Sequence, residues 1–168
     1  GSPEKVYHYT NEGGIDSFDV TKSSGFGGRG VYTTDKPSAV EDYGNSAYPL
    51  FRKQNDIDFS SGDKGVFDFS EKNSLGDPSR MSSMAELKNW SKDIANTAMD
   101  SGYSGAELAG NDGARFFVNY TPVGVKSQFN RGTFDPSDPN ILRSIAPWLA
   151  GGGLAAGSVL GGGEAQAA

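Results

Sequence analysis

Short apolar segments separated by polar stretches run along the first fifty residues of the chain. Residues 6–8 and 31–33 predict two strands, and residues 48–52 predict a third, in which Pro49 favours an edge or entry position. Residues 11–30 are rich in Gly, Ser and Asp, which predicts a flexible loop whose backbone can approach a ligand closely. The N-terminal part of the chain therefore predicts short strands, the first two joined by a long loop.

Apolar residues at spacings of three and four predict two helices. A short helix follows the second strand, with Asp35 as its cap and Pro37 in its first turn. A longer helix covers residues 83–101, where Ser83 and Glu86 form a capping box. Its apolar stripe consists of Met84, Leu87, Trp90, Ile94 and Ala98.

The remaining segments carry weaker patterns. Residues 55–78 are polar and predict irregular structure, with a hairpin near residues 65–67. Residues 105–108 and 116–120 predict two strands on either side of a turn at residues 111–113. Strands and helices in this mixture favour an α+β domain.

The last part of the chain differs from the rest in composition. Residues 3–143 are predicted to form one domain, and residues 144–168 a Gly/Ala-rich tail. The stretch from residue 144 to residue 163 has no charge and is just long enough to cross a bilayer. Its glycines include a small-residue spacing typical of membrane helices, yet so many glycines make a poor helix. The tail is therefore interpreted as a linker, with a membrane segment as the alternative.

Composition and charge exclude several classes of function. The chain has 168 residues and 24 glycines, which suits a loop-rich domain better than a helix bundle. It lacks cysteine, so disulfides, cysteine zinc sites and cysteine nucleophiles are excluded. A single histidine argues against a histidine metal site, and no metal ligand is predicted. The net charge of -6 without a basic run gives no sign of nucleic-acid binding.

The lone histidine lies beside candidate aromatic partners. His8 is on the first strand, Tyr32 is on the second, and Tyr43 is at the far end of the short helix. Taken alone, each is most simply a structural residue. Together they could form a cleft in which a flat ring carrying an amide stacks between the two tyrosines. Hydrolase and P-loop chemistry fit less well, because the chain has no Gly-x-Ser-x-Gly elbow and no phosphate-loop lysine at the required spacing.

These residues belong to an ordered set of motifs. Residues 7–10 read Tyr-His-Tyr-Thr, residues 30–35 read Gly-Val-Tyr-Thr-Thr-Asp, and Tyr43 follows Tyr32 by eleven residues. The set resembles the first two motifs of diphtheria-toxin-type ADP-ribosyltransferases, which read Tyr-His-Gly-Thr and Gly-Phe-Tyr-Ser-Thr-Asp. Residues 102–105, 122–127 and 130–136 resemble the later motifs of ADP-ribosyltransferase domains in phage polyvalent proteins and related toxins. The resemblance covers about residues 6–142.

The resemblance implies an α+β fold, namely a split β-sandwich of two small sheets with flanking helices that holds NAD between the sheets. In such a site His8 would contact the nicotinamide ribose and the backbone of Tyr9 would contact the carboxamide. Tyr32 and Tyr43 would sandwich the nicotinamide ring.

The resemblance also implies supporting residues around the cofactor. Thr10 and Thr34 would support the site, and the loop of residues 11–29 would fold over NAD. Arg29 at the end of this loop is a candidate phosphate partner.

One motif residue departs from the family pattern. The family carries a glutamate six residues before the proline of its late motif, where its charge stabilises the oxocarbenium-like transition state. Counting back from Pro122 gives Phe116, which is not a carboxylate. Asp112 or Glu107 is then expected to supply the charge, or the domain binds NAD or a partner without turnover, or it is an inactive structural relative. The catalytic candidates are accordingly His8, Tyr43, Asp112 and Glu107.

The function implied by the resemblance is mono-ADP-ribosyltransfer from NAD to a macromolecular target, expected to be a protein. The domain would then act as a toxin or phage effector, delivered into the cytoplasm of a host or target cell. The alternative is a degenerate domain that binds NAD or a protein partner without turnover.

Overall fold

The fold is built on a sheet of seven strands flanked by two α-helices. The computed structural model describes residues 2–39, 42, 44–129 and 137–141, and the backbone of residues 162–163 and 165–166. Its elements, in chain order, are β1 (Glu4–Thr10), β2 (Val31–Thr34), β3 (Ser46–Arg52), β4 (Asp56–Phe59), α1 (Asp63–Lys72), α2 (Met84–Asp100), β5 (Gly105–Ala109), β6 (Arg115–Asn119) and β7 (Val125–Ser127). Single 3-10 turns at Pro37–Ala39 and Pro78–Arg80 and a two-residue strand pair, β8 (Gly162–Gly163) with β9 (Ala165–Gln166), complete the described elements.

The seven strands are ordered β4-β5-β6-β2-β1-β3-β7, and the sheet is weakest in the middle. Between β1 and β2 the pairing consists of Tyr7 opposite Thr34. On either side it is extensive, with β1 paired to β3 along its whole length and β2 paired to β6 along its whole length. The predicted α+β fold is confirmed. The two expected sheets are the two halves of this one sheet, and the halves separate beyond the Tyr7–Thr34 pair.

Each half of the sheet has its own core. Adjacent residues of a strand point to opposite faces, so on β6 Val118 joins one core and Phe117 joins the other. The first core contains Trp90 and Ile94 of α2 and Val66 of α1. The second core lies under the long loop, and its members are Val6, Phe18, Val31, Leu50, Phe117, Val125 and Ile141. Two cores on opposite faces leave the region where β1 and β2 diverge open between them.

Helix α2 forms as predicted. Ser83 caps it by accepting a hydrogen bond from the backbone N–H of Glu86 at 3.1 Å, and the Glu86 carboxylate accepts one from Ser82 at 3.2 Å. The C-terminal part of the predicted stripe, Trp90, Ile94 and Ala98, is buried. Met84 at its start is 67% exposed, so the stripe contributes to the core from its second turn onward.

The prediction for residues 55–78 is wrong. Instead of irregular structure with a hairpin, this region forms strand β4 and helix α1. Val66 is buried in the first core and Phe59 precedes it from β4, which pairs in parallel with β5. The free energy gained by burying these few apolar residues against distant parts of the chain outweighs the weak local preference of the polar sequence for regular structure.

Pro49 does not mark an edge strand, because β3 lies between β1 and β7. The pairing of β3 with β7 starts at Leu50, so the residue without an N–H donor lies just beyond the shared ladder. Most of the tail, with the distinction between linker and membrane segment, lies outside the described residues. Within the part that is described, no helix combines the length and the apolar character needed to cross a membrane.

Candidate functional site

A cavity of about 750 Å³ opens where β1 and β2 diverge, within the size range of small-molecule sites. Its walls come from the C-terminal half of β1, from β2, from the long loop between them and from β6. The lining residues include His8, Tyr9, Thr10, Glu12, Phe18, Asp19, Lys22, Tyr32, Thr33 and Phe116. The split of the sheet therefore places His8 and Tyr32 in the wall of one cavity.

His8 is fixed in one orientation. Its Nδ1–H donates a hydrogen bond of 2.8 Å to the Tyr32 carbonyl oxygen, and its ring meets Phe18 edge to face with centroids 5.0 Å apart. Burial lowers the pKa of His8 below its ordinary value of 6.5, against the opposing effects of the Tyr32 hydrogen bond and the charge of Glu12. A neutral ring with its proton on Nδ1 keeps a lone pair on Nε2, which can accept a hydrogen bond from a ligand.

Tyr32 is held under the loop by its hydroxyl. The hydroxyl donates a hydrogen bond of 2.6 Å to the Gly28 carbonyl oxygen, and burial raises the pKa of Tyr32. Gly25 packs so closely that a Cβ there would lie 2.6 Å from the hydroxyl oxygen. The tyrosine is therefore neutral and held in place, and it forms part of the cavity wall.

Thr33 is a cavity residue that the sequence interpretation missed. It is 1% exposed, and its hydroxyl oxygen has no hydrogen-bond partner among the described residues. A buried hydroxyl without a partner is costly, and because the Thr33 hydroxyl oxygen has almost no accessible surface, a ligand would reach it only after a local shift of the cavity wall. The signal was a threonine pair at residues 33–34, of which the resemblance singled out the second.

Thr34 has a structural position instead. Its hydroxyl donates to the Arg115 carbonyl oxygen at 2.9 Å and accepts from the Lys36 N–H at 3.3 Å. It therefore connects β2 to β6 behind the cavity.

Of the other predicted binding residues, some line the cavity and some do not. Tyr9 and Thr10 line the cavity. Arg29 is not part of the cavity wall, and its backbone N–H donates to the Ser91 carbonyl oxygen at 2.9 Å. Tyr43 lies outside the described residues, so the tyrosine sandwich stays a prediction.

The loop of residues 11–30 was predicted to be flexible, but the structure ties it down at several points. Ser91 of α2 bonds both the N–H and the carbonyl of Gly25, at 3.1 and 2.9 Å. The Tyr120 hydroxyl donates to the Gly27 carbonyl oxygen at 2.7 Å, and the N–H of Ile141 donates to the Asp16 carbonyl oxygen at 2.7 Å. Backbone groups of a Gly-rich loop thus find partners from three distant segments, which only the folded chain provides.

Phe116 lines the cavity, so the position at which the resemblance implies a glutamate does reach the site but brings no charge. Neither carboxylate expected to replace it is part of the cavity wall. Glu107 pairs with Arg115 at 3.0 Å, and Arg115 also contacts Asp35 at 3.2 Å. This cluster uses the charge of Glu107 in an ion network outside the cavity.

Asp112 is equally removed from the cavity. It occupies an exposed turn with a positive φ of 53°, and its carbonyl oxygen accepts a hydrogen bond from Lys36 Nζ at 2.7 Å. The geometry therefore supports neither Asp112 nor Glu107 as the missing carboxylate.

Three charged cavity residues were not foreseen, namely Glu12, Asp19 and Lys22. Glu12 and Lys22 form an ion pair of 2.6 Å at the cavity mouth. The available signal was position, since Glu12 follows the Tyr-His-Tyr-Thr motif by two residues. The glycines and the terminal arginine of this loop suggest ligand binding from the sequence, whereas the acidic residue at its start gives no such signal.

Comparison with curated proteins and with solved structures gave no match. A family model described as "ADP-Ribosyltransferase in polyvalent proteins" matches residues 1–134, about four fifths of the chain, and the chain therefore belongs to this family.

Proposed function

We propose that the cavity binds NAD and that the domain transfers ADP-ribose from it to a protein target. Family membership supports the reaction class. The observation that supports this site is His8, held by the Tyr32 carbonyl at the divergence of the two half-sheets, with Nε2 available to a ligand.

The cavity residues suit the parts of NAD that must be recognised. The lone pair on Nε2 of His8 accepts a hydrogen bond from a ribose hydroxyl. Tyr32, whose hydroxyl is anchored to the Gly28 carbonyl oxygen, supplies an aromatic side chain to the cavity wall as a stacking partner for the nicotinamide ring. Aromatic and aliphatic side chains share the cavity wall with polar and charged ones, a combination that can bind and orient a cofactor with both kinds of group.

A second candidate function rests on Phe116. Because a phenyl ring occupies the wall position where the resemblance implies a carboxylate, the domain can bind NAD and yet lack the charge that drives transfer. Loss of one preorganised charge of this kind lowers the rate by about 10²–10³-fold. The contacts that bind NAD do not depend on that charge. The second candidate is therefore an NAD-binding domain without turnover.

Calorimetric titration with NAD and measurement of released nicotinamide distinguish the two candidates. Wild type is expected to bind NAD and release nicotinamide, and His8→Asn and Tyr43→Ala are expected to abolish release. Asp68→Asn is the matched control, because Asp68 lies in an exposed ion pair on α1 away from the cavity. Unchanged release in both the His8 and the Tyr43 variants would overturn the assignment of the site.

The target and the location of action need a separate measurement. Incubation with labelled NAD and candidate host proteins is expected to place ADP-ribose on protein, as a phage or toxin effector acting in a host cytoplasm would. Nicotinamide release with no label on any protein would contradict transfer to a protein and leave hydrolysis of NAD.

A further inference from the structure

The cavity mouth contains negative charge that neither the sequence motifs nor the family match assigns to a role. Two carboxylates, Glu12 and Asp19, line it together with Lys22. Cleavage of a glycosidic bond passes through an oxocarbenium-like transition state, which a nearby carboxylate stabilises. Since Phe116 cannot provide that charge, the carboxylates at the mouth are the relevant groups.

Glu12 has a fixed backbone and a movable side chain. Its N–H donates to the Thr10 hydroxyl at 3.2 Å, and its carbonyl oxygen accepts from the Tyr48 hydroxyl at 3.1 Å. The Glu12 side chain is 54% exposed, and its carboxylate pairs with Lys22, whose side chain is 59% exposed. Exposed ion pairs of this kind are weak, so the carboxylate can leave Lys22 at little cost. It can then turn toward the positive charge that develops on a substrate in the cavity.

Asp19 fits this role less well. Its Oδ1 already accepts hydrogen bonds from the backbone N–H and the hydroxyl of Thr21, at 2.9 and 2.6 Å. These two hydrogen bonds hold the Asp19 carboxylate in its own turn at the protein surface. Glu12, in contrast, lies two residues after β1, and its N–H is hydrogen-bonded to Thr10 of the strand that carries His8. Its charge also partly opposes the lowering of the His8 pKa by burial. Of the two carboxylates, Glu12 is therefore the better placed to act together with His8.

We propose that Glu12 is the catalytic carboxylate of this cavity, supplied from the loop after β1 in place of a strand residue. The proposal rests on the proposed function. In the step considered, the bond between the anomeric ribose carbon and the nicotinamide nitrogen breaks, and its electron pair leaves with nicotinamide. A lone pair of the acceptor forms the new bond, and the acceptor proton passes to solvent. Glu12 stabilises the positive charge that develops on the ribose between these two events.

The test compares Glu12→Gln with wild type in NAD binding and in nicotinamide release. Glutamine keeps the size of the side chain and removes the charge. Release is expected to fall about 10²–10³-fold while the Kd for NAD changes less than about threefold. The control Asp68→Asn is expected to keep release within about threefold of wild type, and Asp19→Asn is expected to lose less release than Glu12→Gln. Circular dichroism of each variant verifies folding.

The other possible results for release and binding either overturn the proposal for Glu12 or contradict the proposed function. Retained release in Glu12→Gln overturns the proposal and leaves the proposed function in place. A loss confined to Asp19→Asn also overturns it and moves the role to Asp19. Wild type that binds NAD without release overturns it in favour of the non-catalytic candidate, whereas wild type that does not bind NAD contradicts the proposed function itself.

Discussion

Removal of the His8 side chain should weaken the junction of the two half-sheets as well as the ligand site. In His8→Ala the Tyr32 carbonyl oxygen loses its 2.8 Å hydrogen bond, and Phe18 loses its edge-to-face partner. His8→Asn is the informative companion, because the asparagine amide can donate from nearly the position of Nδ1 but has nothing at the position of Nε2.

The magnitude follows from the two lost contacts. A part-buried carbonyl left without a partner costs about 1–3 kcal/mol. The aromatic pair contributes about 0.5–1.5 kcal/mol. His8→Ala is therefore expected to lower the free energy of unfolding by about 2–4 kcal/mol, and His8→Asn by about half of that because the donor is retained.

Urea unfolding followed by tryptophan fluorescence measures this difference, since Trp90 is 2% exposed in the first core and reports global unfolding. Both variants are expected to lose nicotinamide release, and His8→Asn to keep most of its stability. If the two variants unfold within about 0.5 kcal/mol of each other, the Nδ1 hydrogen bond does not hold the junction and the reasoning is refuted.

Three further predictions concern pH, charge and the loop. Burial lowers the pKa of His8 in the folded protein below its ordinary 6.5, so below that pH the folded state binds fewer protons than the unfolded state. The free energy of unfolding should therefore fall as the pH drops through about 6.5, and His8→Asn should flatten this dependence in urea titrations. Phe116→Glu restores a carboxylate to the cavity wall and should raise nicotinamide release about 10-fold or more, whereas an equal rise in Phe116→Gln would show that charge is not the cause. Ser91→Ala removes both hydrogen bonds to Gly25 and should speed hydrogen exchange in the loop and weaken NAD binding about 10-fold, with Ser101→Ala, which lies in an exposed helix cap, as the control.

Elements specified by neighbouring residues could be predicted. Helix α2 follows from the Ser83–Glu86 capping box and an apolar face, because both act within a few residues of sequence. Strands β2 and β6 follow in the same way from short β-branched and aromatic runs. The placement of His8 beside Tyr32 was predicted by motif spacing, since the order of motifs reflects a shared topology.

Elements that depend on distant partners could not be predicted. Helix α1 and strand β4 are polar locally, and they form because Val66 and Phe59 find a core built by α2 and β6. The loop of residues 11–30 has no local reason to be ordered, yet it finds partners on Ser91, Tyr120 and Ile141. Hydrogen-bond partners separated by many residues leave no periodic signal in the sequence.

The sequence by itself determined the family and the α+β class, and it predicted His8 and Tyr32 together, because these depend on residue types at set spacings; the two residues do line one cavity. It also determined that Phe116 stands where a carboxylate is implied. Only the tertiary structure decided that Phe116 reaches the cavity, that Glu107 forms an ion pair with Arg115 outside it, and that Glu12 and Thr33 belong to its wall. The physical reason is that β1 and β2 diverge after one residue pair, and the direction of that divergence selects which side chains face the opening.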